Sequence, residues 1–81
     1  MNDLTVIPGI GKRIKLHLHH IGINCVEDLV GQDPDDLYQR DGDYKGFLDD
    51  RCLLYTYRLA VYFAENDTHE PEKLKWWNWK D

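Results

Sequence analysis

The chain has 81 residues, of which 42% are hydrophobic and 31% are charged. This length is enough for one domain with a modest core, and it excludes most enzymes. Ten basic and fifteen acidic residues give a net charge of −5, which argues against a protein that wraps nucleic acid through bulk positive charge, so any phosphate binding must be local.

The first elements are two short helical segments on either side of a glycine-rich turn. The apolar residues 4–7 are stopped by Pro8, which cannot continue a helix, and Gly9 and Gly11 favour a tight bend. A helix over residues 12–20 is predicted by apolar residues at spacings of four and three, with Gly22 closing it: Ile14, Leu18 and Ile21.

Two helix starts follow in the middle of the chain. Asn24, with Glu27 three residues later, is typical of an N-cap with a reciprocal partner, and it predicts a two-turn helix that ends at Gly31. Asp33 before Pro34 is a stronger signal, because a capping carboxylate precedes a proline at the first helical position. The expected buried residues of this helix are Leu37 and Tyr38.

The longest helix is predicted after a polar loop at residues 41–46. Asp49 and Asp50 are expected to cap it, and it extends over Arg51–Glu65. Two apolar stripes follow its length, so this helix is either central to a core or part of an interface. The stripes comprise Cys52, Tyr55, Leu59, Tyr62 and Phe63, and Leu53, Tyr57, Ala60 and Ala64.

The last element is a tryptophan-rich extension over residues 71–81. A polar run after Asn66 breaks the chain, and Pro71 starts a final short helix. No segment has a convincing strand pattern. We therefore predict six helices in one domain over residues 1–81, folded as a compact all-α bundle.

The most informative motif is the PGIG turn, which we define as residues 8–11 within LTVIPGIGKRI. Ile7 and Ile10 are expected to anchor this turn in the core, while the glycines keep side chains off its outer surface. The amide groups of Gly9, Gly11 and Lys12 then face outward at a helix N-terminus, where they favour a phosphate.

The basic residues are concentrated at this end of the chain. Residues 1–23 carry three basic residues and one acidic residue, a sum of +2, whereas residues 24–81 carry seven basic and fourteen acidic residues, a sum of −7. Lys12 and Arg13 add full charges beside the helix N-terminus, and Lys15 lies on the same helical face as Lys12.

The PGIG turn, continued through residues 20–31, resembles the helix-hairpin-helix motif, here spanning residues 4–31. The resemblance implies non-sequence-specific contact with the backbone of duplex DNA from its minor-groove side. The DNA-backbone contacts expected from it are Pro8, Gly9, Ile10, Gly11, Lys12, Arg13 and Lys15. It also implies that hairpin carbonyls, here those of Ile7 or Gly9, hold a monovalent cation in some members, and we expect no other cofactor.

The resemblance extends over the whole chain. GQDPDDLY, DRCLLYTYRLAVYFA and LKWWNWKD are similar to segments of the small bacterial proteins of the pathogenicity-locus or mitomycin-resistance-like family. A more distant similarity is to the C-terminal domain of TfoX-type competence regulators. Because helix-hairpin-helix domains often pair two hairpins, residues 33–63 are a candidate degenerate second unit, with DGDYKGFLDD in place of a second PGIG.

Other clusters point less clearly to chemistry. Four residues match positions of a calcium loop, but Lys45 and Cys52 occupy two positions that need oxygen ligands: Asp41, Asp43, Gly46 and Asp49. The histidines of the first long helix have no third ligand at a recognisable spacing, so we predict no metal site: His17, His19 and His20. Cys25 and Cys52 are expected to be buried packing residues.

Composition also bears on compartment. The two cysteines allow at most one disulfide, which fits a reducing environment. The N-terminus lacks the pattern of a secretory signal, and the longest apolar-rich stretch, residues 52–64, is shorter than the roughly 20 residues that a membrane helix needs. We expect a cytoplasmic protein without a membrane segment.

Two functions follow from these features. The first is a DNA-binding module with weak, salt-sensitive contacts to the backbone. The alternative is a protein–protein adaptor or homodimer in which the hairpin is purely structural. It would use the long apolar helix or the three tryptophans of the C-terminal extension, Trp76, Trp77 and Trp79. If these tryptophans do not form such a surface, we expect them to fold back over the core. We expect no enzyme, since the chain is too short to enclose a flipped base.

Overall fold

The computed structural model describes residues 3–48 and 50–80, and three α-helices dominate it. They are α1 (Lys12–His20), α2 (Pro34–Lys45) and α3 (Arg51–Glu65). Short 3₁₀ helices complete the described residues, which contain no strand: Leu4–Val6, Val26–Leu29, Pro71–Leu74 and Trp76–Trp79. The predicted all-α bundle is confirmed, although the last predicted helix is two separate 3₁₀ segments.

Helix α3 forms the centre of the fold. It packs against α2, against Val26–Leu29 and against Trp76–Trp79, while α1 packs against α2 and Leu4–Val6. Tyr57 and Leu59 of α3 are fully buried, so the apolar stripes of this helix contribute to the chain's own core. The other large apolar side chains that are fully buried come from the N-terminal half of the chain: Leu4, Ile7, Leu18, Leu29 and Leu37.

Aspartates begin both of the later helices. The Asp33 carboxylate accepts the Asp35 amide at 3.0 Å with Pro34 at the first helical position, and the Asp50 carboxylate accepts the Cys52 amide at 2.9 Å. Each contact satisfies an amide that has no partner within the helix. Asp49, the other predicted cap, lies outside the described residues.

The predicted loop at residues 41–46 is wrong, because α2 continues to Lys45 and ends at Gly46, where φ is +87°. The Asp41 side chain is only 1% exposed, and its carboxylate accepts the Lys45 ammonium one turn later at 2.8 Å. Gly42 allows the chain beyond the helix to return closely, since a Cβ there would lie 2.5 Å from Leu48 Cδ2. Asp41 and Gly42 are thus packed inside the fold, although a segment rich in aspartate and glycine is typical of a turn.

The helical conformation of this segment bears on two weaker interpretations. DGDYK is helical, so the segment compared with a second PGIG begins inside α2. A calcium loop is incompatible with the same helix, and the described part of the chain contains no group of three or more metal-ligating side chains.

The predicted helix start at Asn24 is also wrong. Val26–Leu29 is a single 3₁₀ turn with Cys25 at its N-cap position. The backbone amide of Asn24 donates to the Asp28 carboxylate at 2.9 Å, and this hydrogen bond lowers the pKa of Asp28. Burial of Val26 and Leu29 in the core fixes this short turn without a longer helix.

Candidate functional site

The PGIG turn joins Leu4–Val6 to α1 and is anchored from inside. Ile7 and Ile10 are 1% and 5% exposed, and the Ile10 amide donates to the Ile7 carbonyl at 3.1 Å. Gly9 has φ +88°, a left-handed conformation that favours glycine. Ile10 therefore supports the turn from the core, and Pro8 is partly buried beside it.

Helix α1 begins without a side-chain cap. Its N-cap residue is Gly11, which has no side chain to accept the first amide groups of the helix. Gly9, Gly11, Lys12 and Arg13 are all exposed. Within residues 3–48 and 50–80, neither Lys12 nor Arg13 has an acidic partner at ion-pair distance. Unsatisfied amide donors and two cations therefore share one surface.

Lys15 is in a different electrostatic situation. Its ammonium group donates to the Asp3 carboxylate at 2.6 Å, and the Thr5 hydroxyl donates to the same carboxylate at 2.7 Å. These contacts hold the pKa of Asp3 well below its ordinary value. Asp3 thus neutralises Lys15 locally, so the net positive charge of this surface comes from Lys12 and Arg13.

A groove of about 420 Å³ opens beside the PGIG turn, and we call it the turn groove. Three parts of the chain line it, namely the turn with α1, the start of α3 and the C-terminal segment. Its lining residues are Gly9, Gly11, Arg13, Ile14, His17, Cys52, Leu53, Thr56 and Trp76. The surface predicted to bind phosphate therefore adjoins a cavity with an apolar wall.

Trp76 lies directly beside the PGIG turn. A Cβ built on Gly9 would be 3.9 Å from Trp76 Cδ1 and 3.7 Å from Thr56 Cγ2. Glycine at this position leaves a space between the turn and the indole that a side chain would occupy. The sequence treats the turn and the tryptophans as separate candidate sites, and the fold brings one tryptophan to the turn.

The other two tryptophans have different environments. The Trp79 indole N–H donates to the Lys73 carbonyl at 2.8 Å, and the Trp79 carbonyl accepts Arg58 Nη1 at 2.7 Å. Trp77 is 50% exposed, and its ring meets that of Trp76 edge-on at 5.7 Å. The C-terminal segment folds back over α3 and leaves Trp77 as its exposed tryptophan.

A buried carboxylate lies behind His17 in the turn groove. Asp41 Oδ2 is 3.3 Å from His17 Nδ1 and 2.8 Å from Lys45 Nζ. Because Asp41 is almost wholly buried, its ion pair with Lys45 compensates a charge that would otherwise be costly. Sequence reasoning missed this cluster because it placed Asp41 in a loop; the spacing of Asp41 and Lys45, one helical turn apart, was the available signal.

The two cysteines differ, and the expectation of burial is wrong for Cys52. Cys25 is buried, whereas Cys52 is exposed in the first turn of α3. A hydrogen bond to the Asp50 carboxylate raises the pKa of the Cys52 thiol, while the charge of Lys80 acts in the opposite direction. Cys52 is therefore accessible but held largely as the neutral thiol.

A protein-family model named Cdd1 and described as Pathogenicity locus matches residues 1–81. The chain belongs to the pathogenicity-locus family. Searches of curated proteins and of solved structures found no match. In this pathogenicity-locus protein, none of the helices in the described ranges is both long and apolar enough to cross a membrane.

The histidines of α1 in the pathogenicity-locus protein do not converge. His17 lines the turn groove, whereas the exposed His20 stacks on Tyr44 with ring centroids 4.5 Å apart. His17 and His20 therefore serve separate contacts on α1.

Proposed function

We propose that this pathogenicity-locus protein binds the sugar–phosphate backbone of DNA without reading its sequence, with residues 4–31 acting as a helix-hairpin-helix motif. The observation that carries the proposal is the uncapped N-terminus of α1, flanked by exposed Lys12 and Arg13. Gly9 and Gly11 present only backbone at the outer face of the turn, so a phosphate can approach the amide donors closely.

Each part of the turn has a distinct task in this proposal. The first amide groups of α1 donate to phosphate oxygens, and Lys12 and Arg13 neutralise the charge. Ile10 holds the turn against the core. Contacts of this kind fix position on the duplex but carry no base information, so sequence preference is not expected.

The backbone carbonyls of the turn bear on the implied monovalent cation. The Ile7 carbonyl oxygen accepts the Ile10 amide, which leaves it one further lone pair. That oxygen and the Gly9 carbonyl would hold the cation, which would add positive charge for a phosphate. The amide donors of α1 and the two basic side chains do not depend on it.

The charge balance limits the affinity. The net charge is −5, and the pair of Asp3 with Lys15 leaves two uncompensated cations at the turn. With about two to four phosphates neutralised, the slope of log K against log salt concentration is expected near −2 to −4. Binding is therefore expected to be weak at physiological salt and measurable at low salt.

The test is an NMR titration with duplex DNA at low salt. We expect the amide signals of residues 9–15 to shift, and Lys12→Glu to weaken binding at least several-fold for every DNA sequence. Lys73→Glu is the matched control, because Lys73 is an exposed lysine on the C-terminal segment that pairs with Glu70. Unmoved amide signals at residues 9–15, or equal losses of affinity in the two variants, would contradict the proposal.

A second candidate function is association with another protein or with a second copy. The core takes up the apolar residues of α3, but Leu16, Tyr44, Phe47 and Leu48 are each more than half exposed, as is Val30. Tyr44, Phe47 and Leu48 lie within five residues of one another at the end of α2, and a contiguous apolar patch there would favour an interaction surface. Sedimentation should then show association that depends on concentration and is lost in Phe47→Glu; a monomer at all concentrations would exclude self-association.

A further inference from the structure

We infer that the turn groove binds one unpaired nucleotide of a DNA strand, with the base beside Trp76 and its phosphate at the PGIG turn. This inference rests on the proposed function and deepens it, because it specifies the form of DNA that is preferred. A base inside a duplex is stacked on both faces and paired at its edge, so it cannot enter the groove without leaving the stack.

The size and lining of the turn groove fit such a ligand. Its volume of about 420 Å³ lies within the range of roughly 300 to 1,000 Å³ that is usual for small-molecule sites. Ile14, Leu53 and Trp76 supply apolar and aromatic surface. Bases of every type have an aromatic face, so contact with an indole is tolerant of sequence.

The arrangement of donors matches a nucleotide rather than an apolar molecule. Gly9 and Trp76 are direct neighbours in the lining of the groove, so a phosphate on the amide donors of the turn brings its own base within reach of the indole. Arg13 lines the same groove, and Lys80 is near enough to Cys52 to affect its pKa. These two cations favour an anionic ligand, although Asp50 also lies near Cys52.

His17 adds a polar group to the apolar wall. Its Nδ1 faces Asp41 Oδ2 at 3.3 Å and Lys45 Nζ at 3.4 Å. Because these buried partners occupy Nδ1, Nε2 is the ring nitrogen left to hydrogen-bond the edge of a base. The buried Asp41 therefore orients His17 for a ligand in the groove.

The experiment compares three DNAs of the same sequence: a perfect duplex, that duplex with one extrahelical nucleotide, and the single strand. Affinity is followed by tryptophan fluorescence at low salt. We expect the single strand and the duplex with the extra nucleotide to bind about 5- to 150-fold more tightly than the perfect duplex, the range expected for one base stacked on an aromatic ring. If only the single strand binds more tightly than the perfect duplex, the groove is assigned to single strands and extrahelical nucleotides are excluded as its ligand.

Two changes to the groove test where the extra affinity arises. Trp76→Ala should remove the extra affinity for an unpaired nucleotide and leave binding of the perfect duplex unchanged. Trp77→Ala is the matched control, because Trp77 is the exposed tryptophan next to Trp76. Alkylation of Cys52 adds a group to the lining of the groove, and it should reduce the extra affinity as Trp76→Ala does. Conversely, the single strand should slow alkylation of Cys52.

The outcomes separate this inference from the proposed function. Equal affinity for the three DNAs, or extra affinity that survives both changes, overturns the groove inference while the perfect duplex still binds and Lys12→Glu still weakens it. Absence of binding to all three DNAs at low salt overturns both.

Discussion

Single residues at the turn groove show how charge at a helix start depends on immediate partners. An α-helix N-terminus favours a thiolate, yet the Cys52 thiol has a raised pKa because the Asp50 carboxylate accepts its hydrogen bond. A partner also determines the electrostatic effect of Lys15, since the ion pair with Asp3 removes the net charge of Lys15 from the surface around Lys12 and Arg13. Sequence position alone predicts neither effect.

Replacing Asp50 by asparagine should make Cys52 more reactive. Asparagine caps a helix about as well as aspartate, so α3 is retained, but the negative charge that disfavours the thiolate is removed. At neutral pH we expect iodoacetamide to alkylate Cys52 faster in Asp50→Asn than in the parent. The difference should shrink as the pH rises above the thiol pKa of both proteins.

Mass spectrometry of the alkylated site provides the control for this prediction. Cys52→Ser should abolish labelling of the folded protein, because Cys25 is buried. Equal rates in the parent and Asp50→Asn at neutral pH would show that Asp50 does not control the thiol.

Whole elements could be predicted from the sequence where local signals agreed. The bounds of α1 and α3, the capping of α2 by Asp33 and Pro34, and the burial of Leu37 and Tyr38 are confirmed. The end of α2 could not be predicted from composition, because aspartate and glycine are typical of turns, whereas Asp41 and Gly42 are buried within this helix. The spacing of Asp41 and Lys45 is compatible with a helical ion pair, but the burial of that pair and the close approach of Leu48 to Gly42 depend on tertiary contacts that no local pattern records.

Asp41→Asn should destabilise the fold strongly for its size. The change leaves the Lys45 ammonium, which is mostly buried, without its carboxylate, and breaking such a pair costs about 3 kcal/mol. Chemical denaturation should show this loss of unfolding free energy. Asp41→Asn combined with Lys45→Met should lose less than Asp41→Asn alone, since no unpaired charge remains; a larger loss would mean that the pair is not the source of the effect.

At the scale of the whole molecule, the C-terminal segment completes the surface that the N-terminal turn begins. Arg58 links this segment to α3, since it extends from α3 to the Trp79 carbonyl, and its guanidinium also lies over the Tyr55 ring at 5.5 Å. This assembly could not be predicted from the sequence, because the PGIG turn and Trp76 lie near opposite ends of the chain. Motif recognition identified the turn, and only the packing on α3 brings the indole to it.

Arg58→Ala should therefore loosen the segment that carries the tryptophans. Loss of a hydrogen bond from a charged donor is expected to cost about 1.5 to 3 kcal/mol of stability. Hydrogen exchange of the Trp79 indole should accelerate more than exchange of buried amides in α1. Arg51→Ala is the matched control, since Arg51 is an exposed arginine on the same helix; uniform acceleration throughout the chain would contradict a local link.

The proximity of Gly9 and Trp76 joins two segments that are synthesised at different times. The residues of the PGIG turn leave the ribosome before Trp76 does, so a growing chain has the turn before it has the indole beside it. Under the proposed function, selectivity for an unpaired base would therefore arise later than attraction for phosphate, once Trp76 has docked beside the turn.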